Sequence, residues 1–234
     1  MKILVDWDNV VCLSSVTIPT LWNYLHPTKQ VKVLKAEEVK WDFSNVLEGT
    51  DISLKDLLSA FDYKYFYNHA VYVDGAIETI NELSKEHEII IVSKHMDSRK
   101  ELTTKCINYL LPNVQIQFVD RFEDKKNINA DIIIDDKLEC LNGKAKLSIC
   151  YGSYEWNQEW DKVRCLNWRQ VEQCVNFIEE WLYMEDKCLI NMIDGGLIKV
   201  DYQGLDCLSS GCETCGYGGH WINNIEIHMK KWNN

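Results

Sequence analysis

Proline is scarce in this chain, three in 234 residues, and no tract of low complexity interrupts it, so nothing in the composition points to a disordered segment. Long hydrophobic runs are missing too. The longest, such as Ile89 to Val92 and Ile132 to Ile134, fall far below the ~18 residues of a membrane span. Met1 leads straight into a strand-like run, which leaves no secretory leader to expect. Positive charge is also in short supply: 25 Lys and Arg stand against 36 Asp and Glu, a net charge of -11. Affinity for long DNA or RNA is built largely on cations that neutralise phosphates, so such a partner is not expected. A small anionic substrate is compatible with this balance if local cations and a metal offset the field. These absences lead to the expectation of a soluble, cytoplasmic protein.

Cysteine, by contrast, is plentiful at ten. Six lie singly between Cys12 and Cys174, several within apolar patterns, and read as reduced, buried small hydrophobes. Hydrophobic residues make up 46% and charged residues 26%, values suited to one well-buried domain with a small appendage at this length.

Five short apolar runs stand out: Ile3 to Val5, Ile89 to Val92, Val114 to Val119, Ile132 to Ile134 and Leu147 to Cys150. Most are continuous rather than alternating, as in strands buried on both faces of a parallel sheet. Helical spacing links Ala76, Ile77, Ile80 and Leu83, then Leu102, Cys106 and Leu110 behind the capping pair Ser98 and Glu101, and then Val171, Cys174, Ile178 and Leu182 behind Asn167. The alternation predicts an α/β fold, a doubly wound parallel sheet, over residues 1–182. Residues 14–70, with two helical patterns and many aromatics, are too long for an ordinary connection and predict a small helical cap inserted after the first strand. Ser53 with Asp56 offers a helix start within it. After Tyr183 the Gly pairs and the alternating Ile222, Ile225 and Ile227 predict a small β-rich tail over 183–234.

In open α/β sheets ligands bind outside the carboxyl ends of the strands. The first strand ends in Asp6-Trp7-Asp8-Asn9, the second in Ser93, and the fourth in Asp135-Asp136, with Lys125 ten residues ahead of Asp135. A sharp turn lets Asp6 and Asp8 share one site, and Asn9 tolerates the positive φ that such a turn needs. With Asp135 and Asp136 they bring about four carboxylates together, which requires a cation. All-oxygen ligation favours Mg²⁺.

In its ordered set Asp6-Trp7-Asp8-Asn9-Val10-Val11, Ser93, Lys125 and Asp135-Asp136 the chain resembles the haloacid dehalogenase (HAD-like) phosphohydrolases. Trp41-Asp42-Phe43, Asp74-Gly75-Ala76 and Ala130-Asp131-Ile132-Ile133-Ile134-Asp135-Asp136 make it similar, within them, to the 5′(3′)-deoxyribonucleotidases of bacteria and phages. The resemblance covers residues 1 to about 182. Asn9 stands where the superfamily usually has Gly, and Asp74 where the nucleotidases commonly carry Pro. The resemblance implies a hydrolase of deoxynucleoside 5′-monophosphates that needs Mg²⁺, in which Asp6 attacks phosphorus and Asp8 acts as acid and then base. It also implies that Ser93 and Lys125 hold the phosphoryl oxygens and that Asp6, Asp8, Asp135 and Asp136 make the metal site. A phosphatase of another small phosphate ester, or a catalytically idle nucleotide- or protein-binding domain, are the alternatives.

The cap would choose the substrate. Among its aromatics, Trp41, Phe43 and Phe66 are the candidates for contact with a nucleobase, against the alternative that such side chains only form the cap's core. In the tail, Cys207, Cys212, Cys215 and His220, with Cys188 as a substitute fourth ligand, could enclose a structural Zn²⁺; free thiols or a redox pair are the competing readings.

Overall fold

The computed structural model describes residues 1–94, 97–182, 198–201, 204–206, 221–223 and 226–229, and from residue 179 onward the backbone alone. The first five sequence runs become β1 (Lys2–Val5), β2 (Glu88–Ser93), β3 (Gln115–Phe118), β4 (Ile132–Asp135) and β5 (Leu147–Tyr151), and β6 (Arg164–Cys165) adds a two-residue edge. All pair in parallel in the order β3-β2-β1-β4-β5-β6. The chain thus runs outward from β1 to one edge, then crosses back to β4 and the other edge. That reversal opens a crevice at the carboxyl ends of β1 and β4.

The central strands are apolar on both sides because both sides are covered. Leu4, Ile90, Ile133 and Cys150 face one buried layer, and Ile3, Val5, Ile89, Ile91, Ile132, Ile134 and Ile149 face the other. Edge strand β3 instead alternates, with Gln115 and Gln117 turned to solvent. Helices α4 (Ala76–Leu83), α5 (Asp97–Leu110) and α6 (Trp168–Leu182) supply the outer layers. Asn167 caps α6 as its position suggests, its Oδ1 accepting the Gln170 N–H at 2.9 Å. Ser98 and Glu101 lie inside α5 rather than at its start, because the helix already includes Asp97.

Between β1 and α4 lies the insertion. It holds α1 (Ser14–Leu25), α2 (Ser44–Leu47), α3 (Leu54–Leu58) and short 3₁₀ turns. It is helical only in part: after α1, most of residues 26–43 are held by side chains rather than by a repeating ladder. Asn23, for example, bonds both the N–H and the C=O of Val31, and Trp22 Nε1 donates to Lys29 O. Ser53 caps α3 as expected, accepting the Asp56 N–H at 3.1 Å. The two ends of the insertion are joined at a neck, where Leu13 N donates to Val71 O at 2.8 Å and Val73 N donates to Val11 O at 2.9 Å.

Beyond α6 the described backbone consists of β7 (Ile198–Asp201), β8 (Gly204–Asp206), β9 (Trp221–Asn223) and β10 (Glu226–Met229), paired antiparallel as β7 with β10 and β8 with β9. The expected zinc ligands Cys188, Cys207, Cys212, Cys215 and His220 lie outside the described residues. No described helix is long and apolar enough to cross a membrane.

Candidate active site

The carboxyl end of β1 turns at once. Asn9 has φ 60°, Val11 N and Cys12 N both return to Trp7 O, and Asn9 N donates to Cys12 O. The left-handed conformation at Asn9 turns the chain back at Asp8, so that Asp6 and Asp8 both face one cavity despite standing two residues apart. The turn is then locked to α1, since Asn9 Oδ1 accepts the Ser15 N–H at 3.0 Å.

Beneath the cavity Lys125 is 1% exposed and reaches two carboxylates, Asp6 Oδ1 at 2.6 Å and Asp135 Oδ2 at 2.8 Å. Asp6 Oδ1 also accepts the Trp7 N–H at 2.7 Å, so one oxygen of Asp6 is fixed by two donors. Asp135 Oδ1 accepts the Lys137 N–H at 2.9 Å. Asp136 lies on the cavity wall, where its Oδ2 accepts the Trp156 indole N–H at 3.0 Å. Ser93 ends β2 beside β1 and is buried.

Electrostatics follow from this crowding. Burial pushes the Asp6 carboxyl up to about 7, opposed by Lys125 and assisted by Asp135 and Asp8. Asp136 is held well above the carboxylate range by burial and then by its acidic neighbours Asp6 and Asp135. Burial would lower Lys125, but Asp135 and Asp6 more than reverse this and keep it an ammonium.

Carboxylate oxygens of Asp6, Asp135 and Asp136 lie within 4.8 Å of one another, all three residues buried. Ionising all three carboxyls against one ammonium would leave two negative charges to be balanced, and the donors are all oxygen. This set fits a divalent hard cation such as Mg²⁺. The Asp8 carboxylate is not part of that triad.

The cavity, about 470 Å³, lies between this floor and the cap and has a size suited to a small organic substrate. Trp41 and Phe43 stand on its wall, and Trp41 remains 46% exposed. Phe66 does not stand there. It is 1% exposed and packs on Phe61 and edge-on to Tyr67, so this candidate belongs to the cap's core, and Phe61 takes its place on the wall. Lys125 is likewise below the floor rather than on the wall, in contact with the nucleophile candidate itself.

Sequence reasoning overlooked Arg99, Lys137, Phe122 and Trp156, all of which line the cavity. Lys137 Nζ sits 4.1 Å over Trp41 and 3.7 Å over Phe122, joining cap to core through cation–π contacts. Trp156 follows β5, and inspecting every strand exit, not only those carrying carboxylates, would have found it.

The chain is similar to several known proteins. Two 5′(3′)-deoxyribonucleotidases, of Bacillus subtilis (strain 168) and of Bacillus phage SPbeta, are each 29% identical over 115 residues. Those alignments cover 48% of this chain and 66% of the relatives, so the chain matches just under two thirds of their length. Among solved structures, the HAD-hydrolase YfnB from Bacillus subtilis, described as bound to magnesium, aligns at a TM-score of 0.48 and 13% identity over 75% of this chain and 98% of its own. A HAD family hydrolase from Deinococcus radiodurans R1 aligns at 0.47 and 12% identity, covering 76% and 96%. A family model matches residues 1–180, from β1 through nearly all of α6, and the chain belongs to that family, described as 5′ nucleotidase, deoxy (Pyrimidine), cytosolic type C protein.

Proposed function

We propose that the protein is a Mg²⁺-dependent phosphomonoesterase that hydrolyses deoxynucleoside 5′-monophosphates through a phosphoenzyme formed on Asp6. The observation that carries this reading is the fixing of Asp6 Oδ1 by Lys125 and Trp7 N–H, because it leaves Oδ2 as the attacking oxygen at the cavity floor. The activity by which the Bacillus and phage relatives are named supports the same reading.

In this reading Oδ2 of Asp6 attacks phosphorus while the O5′ leaving group departs on the opposite side. Asp8 gives that oxygen its proton, then takes one from the water that cleaves the aspartyl-phosphate. Lys125 holds the nucleophile in place and, with Ser93 at the end of the neighbouring strand, offers positive charge and a hydroxyl to the phosphoryl oxygens. Asp6, Asp135 and Asp136, with a main-chain oxygen at Asp8, would hold Mg²⁺, which supplies charge neutralisation to the phosphoryl group. Trp41 and Phe43 bound the side of the cavity where a flat base can lie.

A panel of phosphomonoesters, assayed with and without Mg²⁺, tests the reading. Deoxynucleoside monophosphates should be cleaved in preference to sugar phosphates, and turnover should vanish on chelation and return with Mg²⁺. A clear preference for a non-nucleotide ester would sink the substrate assignment and leave the chemistry standing.

Two substitutions separate chemistry from recognition. Asp8→Asn should lower kcat roughly a hundredfold with little change in KM, because its carboxyl acts in proton transfer; unchanged kcat with raised KM contradicts the role. Trp41→Ala should do the reverse, raising KM by roughly five- to a hundredfold for the loss of one stacked base while kcat stays nearly constant. Steady-state kinetics on one good deoxynucleotide measure both.

A further inference from the structure

The turn that follows β5 is built more firmly than a connection requires. Gly152 has φ 71°, and a Cβ there would come within 2.5 Å of the Tyr154 ring, so only glycine lets that tyrosine fold back over the strand end. Tyr154 OH then donates to Asn9 O at 2.6 Å, reaching the turn that carries Asp8. Asn157 Nδ2 donates to the carbonyls of Asp136 and Tyr151, and Arg164 closes the other side with bonds to Asn157 Oδ1 at 2.8 Å and Asn157 O at 2.6 Å.

Trp156 is held at the centre of this framework. Its ring stacks on Tyr154 at 4.8 Å with planes 8° apart, and meets Trp41 of the cap edge-on at 5.4 Å. Held by these two rings, the indole directs its N–H at Asp136 Oδ2, 3.0 Å away. Among the described residues this is the hydrogen bond that the Asp136 carboxylate receives from a side chain. A carboxylate that serves a cation must be both oriented and kept from rotating away, and a donor on one of its oxygens does both.

We propose that Trp156 is a positioning residue that fixes the Asp136 carboxylate toward the divalent cation. The inference rests on the Mg²⁺ site in the functional reading above. Neither the metal triad nor the cap contains Trp156; its effect is transmitted through Asp136, and its contact with Trp41 places the same side chain at the cap boundary.

The test is Mg²⁺ binding to the full chain by calorimetry, without substrate, for the wild type and two variants. Trp156→Phe keeps an aromatic ring and removes the donor. Benzothienylalanine placed at position 156 alone keeps the shape of the indole, replaces N–H by sulfur, and remains informative should the Phe variant fail to fold. Both are expected to bind Mg²⁺ roughly tenfold more weakly, and raising Mg²⁺ should restore kcat with little change in the KM for nucleotide. Wild-type affinity in the benzothienyl variant would overturn the proposal, whether or not the Phe variant binds more weakly, since ring packing alone would then account for any loss. A wild-type protein that binds no Mg²⁺ would overturn both this proposal and the metal reading on which it rests, whereas normal Mg²⁺ binding in all three proteins overturns this one alone.

Discussion

Asp6→Asn should lower turnover by at least about ten-thousandfold, because the amide occupies the same volume and offers no nucleophilic oxygen anion. The fold should survive the change. Lys125 keeps its second carboxylate, Asp135 Oδ2 at 2.8 Å, and the Asn carbonyl can still accept the Trp7 N–H. Circular dichroism and melting temperature should therefore match the wild type within a few degrees. Beryllium fluoride, a mimic of the phosphoryl group, should add to the wild type at Asp6 and not to the variant. Activity of the Asn variant within tenfold of wild type would remove Asp6 from the role of nucleophile.

Lys125→Met is expected to damage both stability and turnover. The ammonium is the buried counter-charge for Asp6 and Asp135, and deleting one partner of such a network typically costs about 3–5 kcal/mol because the remaining charges stay desolvated. Turnover should fall by roughly a thousandfold with the loss of positive charge at the phosphoryl group. The effect on stability has a pH signature. Asp6 is already raised to about 7 with Lys125 holding it down, so removing Lys125 raises it further. A carboxyl raised in the folded state penalises folding once it must ionise, and the penalty disappears as it takes up a proton. The loss of stability should thus be greatest above about pH 8 and shrink as pH falls below about 7. Urea melts of metal-free protein across that range measure it. A loss that grows on acidification would contradict the account.

The parts of the fold that could be read from sequence are those where one physical demand dominates. Ile89 to Val92 and Ile132 to Ile134 are apolar throughout because each lies between two covered faces, and no soluble helix of that length needs such a run. That Asp6, Asp135 and Asp136 meet was legible because they follow apolar runs that become neighbouring parallel strands, whose carboxyl ends lie side by side. The two-residue strand β6 was not, since Arg164–Cys165 is too short to carry a period. Residues 26–43 escaped for a related reason: their shape is set by individual bonds such as Asn23 to Val31, which no periodicity announces. Phe66 and Phe61 are indistinguishable by composition and differ only in which way the cap turns them. Lys125 was found by position, yet its burial beneath Asp6 depends on the 3₁₀ turn Phe122–Asn127, which reads in sequence as a polar loop.

The neck of the insertion bears on how this domain could acquire other specificities. Leu13 pairs with Val71 and Val11 with Val73, so the whole excursion leaves and re-enters the sheet domain at adjacent points. Whatever lies between those points need only begin and end there. Loop closure changes by only about 0.6 kcal/mol for each doubling or halving of length, so the neck would accept a graft much longer or shorter than the present one. The β1 turn and its acids lie on the sheet side of that neck, and Trp41 and Phe43 lie beyond it. Under the proposed function the neck separates the reaction centre from the segment that reads the substrate, and transplanting residues 14–70 from a related enzyme is then expected to rewrite the choice of substrate in one step.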